Sequence, residues 1–389
     1  MKSSASVVAI FLLVLAAIPV AVLGWARLLR STSESPELAL HRQRGDAAFV
    51  EGRYADALIA YTRARELAPT DPGLQRALMT ARLGLAAAEP GAIADGDLEP
   101  LRYEALLLLD VDPSRAALWH AALGNVLVRK GRLDDARASL EAAVRADASS
   151  PVAHTALALL LVRDPAGTTK AKAALERALE ARPDYVRALL PLAQLHLADG
   201  NGQRAQELLE RALRVSSDAP THALLGEARL RQNQLDPAIA ELRRAVELDA
   251  RHLDAQRSLG MALVRAGRAS EAERPLRAAA QNGTDLAVLL ALATSLTAQR
   301  KHEQALAVYT QVLAADSLAA AALLGAGKAL EELGRPKDAL GHYLRLLQLR
   351  STGAAPNAEL EALQAAARPR VAALQAPAVG PERVPVPAP

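Results

Sequence analysis

The sequence predicts an all-α solenoid of stacked helix-turn-helix units, and three observations predict it. A unit of about 34 residues recurs along most of the chain, which has 389 residues. Within each unit the apolar residues fall three and four apart, the spacing of one buried helix face. A glycine or other turn residue interrupts the unit near its middle. Ala117–Ser150 shows all three. Its first helix carries Trp119, Leu123, Gly124, Leu127 and Val128, and Gly131 breaks it. Its second helix carries Leu133, Ala136, Leu140, Ala143 and Val144. Gly124 and Ala136 are small where two helices must approach closely. One such hairpin cannot bury its apolar faces alone, so neighbours must stack on it.

The elements follow in chain order. Val7–Gly24 is an uninterrupted apolar run, preceded by Lys2 and followed by Arg27 and Arg30. Its length is close to the minimum that crosses a bilayer, and Trp25 suits the interface. Residues 1–30 therefore read as an N-terminal transmembrane anchor. The alternative is a signal segment cut near Gly24 or Ala26, with Pro19 breaking the helix ahead of the cut. Positive charge after the run (Arg27, Arg30, Arg42, Arg44) exceeds that before it, which leans the repeats toward the cytoplasmic face. A periplasmic or secreted solenoid is the alternative. Residues 31–37 form a linker.

The solenoid is expected over 38–353. In Leu38–Asp71, residues Gly45, Gly52, Tyr54, Ala57, Tyr61, Ala64 and Pro69 fall in phase. Pro72–Ser114 is the least regular part. Leu83 and Gly84 open a unit, but Glu89–Asp97 replaces its turn, and a second helix runs Leu98–Asp110. This reads as a degenerate unit over 77–114 with inserted residues, by drift in a tolerant turn rather than as a functional loop. Regular units then begin at Ala117, Pro151, Val186, Ala219, Leu253, Leu286 and Ala320. Residues 354–376 are expected to supply a capping helix, with Leu360, Leu363, Ala367, Val371 and Leu374 on one face and Pro369 kinking it. Pro377–Pro389, rich in Pro and Val, reads as an extended or disordered tail.

The spacing resembles the tetratricopeptide repeat family, a helix-turn-helix unit of about 34 residues. Leu123, Gly124, Gly131, Ala136, Leu140 and Ala143 match its pattern, while Ala148 stands where the family often has Pro. The resemblance implies a right-handed superhelix of about eight regular repeats and one degenerate one. It implies a binding scaffold and says little about chemistry.

Composition excludes several classes. With no Cys, disulfides, thiolate metal sites and a Cys nucleophile are absent. The 46 basic and 43 acidic residues give a net charge of +3, interleaved along helices as on a solvated, salt-bridged surface rather than a nucleic-acid surface. No phosphate-cradling glycine loop, H-E-x-x-H or G-x-S-x-G is present. His302 and Glu303 lack a second His one turn on, and the other histidines are scattered. The chain is expected to use no cofactor, metal or small-molecule substrate and to be no enzyme.

The resemblance further implies that the first helix of each repeat lines a concave groove. The corresponding positions hold Asn125 and Arg129, then Arg187 and Gln194, then Glu227 and Arg231, then Arg257, Met261 and Arg265, and later Lys328. Arg129, Arg163, Arg231 and Arg265 share one column. Two readings stay open. Each Arg lies near a helix C-terminus and complements its dipole, or the column forms a guanidinium stripe for the carboxylates of an acidic segment. The carboxylate clamp of chaperone-tail binders is not reproduced, because Ala121, Leu190, Ala223 and Leu324 occupy its position. The Asn ladder of the sugar-transferase type reduces to Asn125. Membrane-anchored repeat proteins that regulate lipopolysaccharide synthesis have a similar layout but end in a Cys-rich module. The expected function is a membrane-tethered scaffold that holds an extended or helical segment of a protein partner. The alternative is an accessory subunit of a bacterial envelope complex for secretion, polysaccharide export or cytochrome assembly, contacting neighbours through its outer face.

Overall fold

The computed structural model describes residues 35–281, 285–350 and 357–375. The apolar run Val7–Gly24 and the Pro-rich tail lie outside the described residues. Among the described residues no helix is long and apolar enough to cross a membrane, and all regular structure is helical. The chain divides into two compact units between Pro183 and Asp184.

In the first unit the helices are α1 (Pro36–Val50), α2 (Tyr54–Leu67), α3 (Pro72–Ala88), α4 (Leu98–Val111), α5 (Ala116–Arg129), α6 (Leu133–Ala146), α7 (Pro151–Leu161) and α8 (Thr168–Ala181). In the second they are α9 (Val186–Ala198), α10 (Gly202–Val215), α11 (Ala219–Arg231), α12 (Leu235–Leu248), α13 (Leu253–Arg265), α14 (Ala269–Ala280), α15 (Leu286–Ala298), α16 (His302–Ala315), α17 (Ala320–Glu332), α18 (Pro336–Gln348) and α19 (Ala358–Gln375).

The hairpins follow from residue size. Ala136, Leu140 and Ala143 on α6 are fully buried against α5. The glycines of the first helices set the approach. A Cβ on Gly226 would lie 2.6 Å from Leu242 Cγ, and Gly124 and Gly260 meet Leu140 and Leu276 in the same way. Only the missing side chain lets these helices pack so closely. The turns follow from backbone conformation. Gly52, Gly131, Gly200, Gly267 and Gly334 close their hairpins at φ between 70° and 78°. Asn233 and Arg300 take the same left-handed conformation in two others, at φ 59° and 61°. Junctions between hairpins are capped by side chains. The Asp71 carboxylate accepts from Gly73 N at 2.7 Å, Asp218 from Thr221 N at 2.9 Å, and Asp285 from Ala287 N at 2.9 Å.

The irregular stretch of the first unit has a definite structure. After α3 the chain makes two 3-10 turns, Pro90–Ala92 and Asp95–Asp97, before α4. Leu83, Leu101, Ala105 and Leu108 join Trp119 and Leu140 in one core. Trp119 Nε1 donates to Asp112 O at 3.0 Å, anchoring the exit of α4.

The second unit closes on α19. Ala367 and Val371 are buried with Tyr343 and Leu346 of α18. Gln364 Nε2 donates to the Leu346 and Leu349 carbonyls at 3.0 and 2.9 Å, capping the C-terminal end of α18. Arg370 pairs with Glu331 of α17 at 2.6 Å.

Candidate functional site

Within the second unit, the faces of three successive first helices enclose a cleft of about 560 Å³. α9 contributes Leu190, Gln194, Leu197 and Ala198; α11 contributes Pro220, Ala223, Leu224, Glu227 and Arg231; His252 and the first turns of α13 add Asp254, Arg257 and Ser258. The i, i+4 spacing of α9 and α11 produces this set, because residues one turn apart share a face. Leu190 and Leu224 are half-buried and supply apolar floor, while Gln194, Arg231 and Arg257 are exposed above it.

The charges in the cleft are loosely held. Arg231 lies 3.5 Å from Glu227, with 52% and 42% of the two side chains exposed. Arg257 lies 3.5 Å from Asp254 and 3.7 Å from Asp285. Exposed pairs of this kind contribute about 0–1 kcal/mol, so a ligand carboxylate can replace the internal partner at small cost. His252 is occupied differently: its Nδ1 caps α13, accepting from Ala255 N at 3.3 Å.

The residues singled out by the sequence divide three ways. Gln194, Arg231 and Arg257 come together in the cleft. Arg187, Met261, Arg265 and Lys328 lie on first helices but outside its lining. Met261 is 38% exposed, and Arg265 Nη2 reaches Asn233 Oδ1 at 3.4 Å. Arg163, just after α7, is exposed.

Asn125 and Arg129 are held by the framework of the first unit. Asn125 is buried, and its Nδ2 donates to the Ala86 and Ala87 carbonyls at 3.0 and 2.8 Å. It satisfies the open C-terminus of α3. Arg129 donates to Pro90 O at 2.9 Å, to Ile93 O and to the Asp95 carboxylate. The inserted turn at 89–97 therefore holds this guanidinium, and Arg129 is not an open member of the column. Sequence reasoning also missed Leu224 and Ser258. Both follow directly after a groove position, and a wider helical stripe would have included them.

A second cleft of about 400 Å³ lies beside α19, with Leu286, Leu290, Leu318, Leu360 and Leu363 in its wall; it holds none of the singled-out residues. Among the described residues no group of three His, Asp or Glu converges as a metal site would require.

Family models described as tetratricopeptide repeat match residues 39–71, 101–151, 121–168, 223–287 and 290–359, and 168–228. A 95-residue stretch is 35% identical to anaphase-promoting complex subunit 7 of Mus musculus, covering 24% of this chain and 17% of that one. A 118-residue stretch is 31% identical to the Arabidopsis thaliana subunit of the same name, covering 29% and 21%. The chain spans about a fifth of the length of these curated relatives. Among solved structures, the APC/C hetero-tetramer Cut9–Hcn1 aligns with a TM-score of 0.56 at 20% identity, over 77% of this chain and 57% of that one. That likeness is one of fold.

Proposed function

Because the chain belongs to the tetratricopeptide repeat family, we propose that it is a non-enzymatic scaffold that binds a segment of another protein in the cleft of α9, α11 and α13. The observation that carries this reading is the convergence there of Gln194, Arg231 and Arg257 over Leu190 and Leu224. An extended or helical segment would place apolar side chains on the leucines and a carboxylate on a guanidinium. Gln194 can both donate and accept, which suits fixing the register of a backbone. The partial likeness to subunits of a multiprotein complex fits a scaffold.

The test uses the full chain. A photo-crosslinking residue at Gln194 or Leu224 should capture the partner, and one at Arg137 on the outward side of α6 should not. Replacing Arg231 and Arg257 together by Ala should weaken binding about tenfold or more, the range of a lost charge-assisted hydrogen bond. Arg129→Ala should leave affinity unchanged. Capture at Arg137 alone, or full affinity in the Arg231/Arg257 double variant, would overturn the assignment.

The membrane tether belongs to the same proposal and is supported by the composition of Val7–Gly24 with Arg27 and Arg30 behind it. Retention in the membrane fraction after alkaline carbonate extraction is the expected result; release into the supernatant removes the tether from the reading.

A further inference from the structure

The outward faces of α6 and α8 are largely polar. On α6 the exposed positions include Asp134, Arg137, Glu141 and Arg145, and on α8 they include Glu176, Arg177 and Glu180. α4, the second helix of the irregular repeat, is different. It buries Leu98, Leu101, Ala105 and Leu108 against its own unit. On the opposite side Tyr103, Leu106, Leu107 and Val111 remain 62%, 44%, 51% and 52% exposed. Their spacing of three and four residues makes one continuous helical stripe. Single exposed leucines are ordinary, but a contiguous stripe marks an interaction surface.

The charges beside the stripe indicate what covers it. Asp110 sits among these residues at the C-terminal end of the face, exposed and with no ion-pair partner among the described residues. Arg102 sits at the other end, its guanidinium 4.5 Å from the Tyr103 ring centroid. Its Nε pairs with Glu99 at 2.9 Å, and Lys130 pairs with the same carboxylate, so this end carries two cations against one anion. A charge of each sign at opposite ends of an apolar stripe is complementary to the same stripe run antiparallel. With a two-fold axis between Leu106 and Leu107, those leucines meet their symmetry mates. Tyr103 of each copy then faces Asp110 of the other, with Arg102 beside it.

We propose that α4 is a self-association surface, on which a second copy of this chain packs antiparallel through Tyr103, Leu106, Leu107 and Val111. Such a contact is isologous, with one patch serving both copies, as a closed dimer requires. The Tyr103 hydroxyl and the Arg102 guanidinium of one copy donate to the Asp110 carboxylate of the other. The stripe offers a few hundred Å² per copy, against about 800 Å² per partner in a standard stable interface. The dimer is therefore weak and concentration-dependent.

The native chain has no Cys, which makes the test direct. Leu107→Cys in the full chain, treated with a short bismaleimide, should give a covalent dimer about tenfold faster than Ala138→Cys on the outward side of α6; that ratio corresponds to about 1.4 kcal/mol of association. Asp110→Arg in the Leu107→Cys background should slow the reaction about threefold, the scale of an exposed ion pair. Adding Arg102→Asp should restore it, because the exchanged charges again face each other. Equal rates for Leu107→Cys and Ala138→Cys would overturn self-association at this face. A fast Leu107→Cys reaction that ignores Asp110→Arg would overturn the antiparallel register. Both Cys positions are exposed, and a thermal melt of each variant verifies its fold.

Discussion

Arg300 performs a task that glycine performs in five other turns. At φ 61° it occupies the left-handed region, where a side chain costs roughly 1–2 kcal/mol, and its side chain is exposed. Gly relieves that cost but gains freedom in the unfolded chain, which offsets about half of it. Arg300→Gly should therefore stabilise the second unit by about 0.5–1 kcal/mol, read as a higher urea midpoint; an unchanged or lower midpoint would contradict this account. Asn233 has less to gain, because Asn tolerates the conformation. The turn glycines were legible in the sequence because they recur in register. Arg300 was not, since nothing in an exposed arginine marks a left-handed backbone.

The irregular repeat shows what a helix and its inserted turn can demand of their neighbours. α3 ends inside the unit, and its last carbonyls need donors. Asn125 supplies them from α5, across 39 residues of sequence. Asn125→Ala should leave the Ala86 and Ala87 carbonyls unsatisfied in a buried site, a loss of about 1–3 kcal/mol. A lower urea midpoint and faster amide exchange over residues 83–97 are the expected signs, with affinity for the partner unchanged. Loss of affinity with normal exchange would return Asn125 to the groove. The helices themselves were readable, since three-and-four spacing and glycine breaks specify each one locally; α4 ends at Val111, one residue beyond the expected Asp110. The roles of Asn125 and Arg129 were not readable. A column position looks the same whether it faces a partner or a neighbouring loop, and the deciding hydrogen bonds are long-range.

At the scale of the whole chain, stability should fall with acid in two separate steps. Burial pushes His120 and His342 below the usual histidine range, with Arg145 and Arg345 adding to it. A depressed base favours folding in its neutral form. Its contribution is complete above the unfolded value near 6.5 and is lost as pH falls from there through the folded value. Glu271 and Glu273 are lowered first by hydrogen bonds from Arg268 and Lys301. Their contribution is present above the unfolded value of about 4.3 and is lost as pH falls through the folded one. The urea midpoint should hold above pH 7, decline first below about 6.5 and again below about 4. His120→Leu combined with His342→Leu should flatten the first decline and leave the second; a persisting drop between pH 7 and 5.5 would contradict the assignment. The candidate site was legible only in part for a related reason. The repeat columns supplied Gln194, Arg231 and Arg257 one helix at a time, but which columns enclose a cleft depends on how consecutive hairpins stack.

The hold of the inserted turn on Arg129 has one further consequence, in terms of competition. The turn is a ligand carried on the same chain. It brings the Asp95 carboxylate and two peptide carbonyls to the guanidinium. A group tethered this closely acts as though present at millimolar concentration or above. A free acidic segment would have to outcompete that local supply to touch Arg129, whereas at Arg231 and Arg257 it would displace only exposed, weak pairs. The inserted turn thus sets what Arg129, on the helix of the neighbouring repeat, is free to contact.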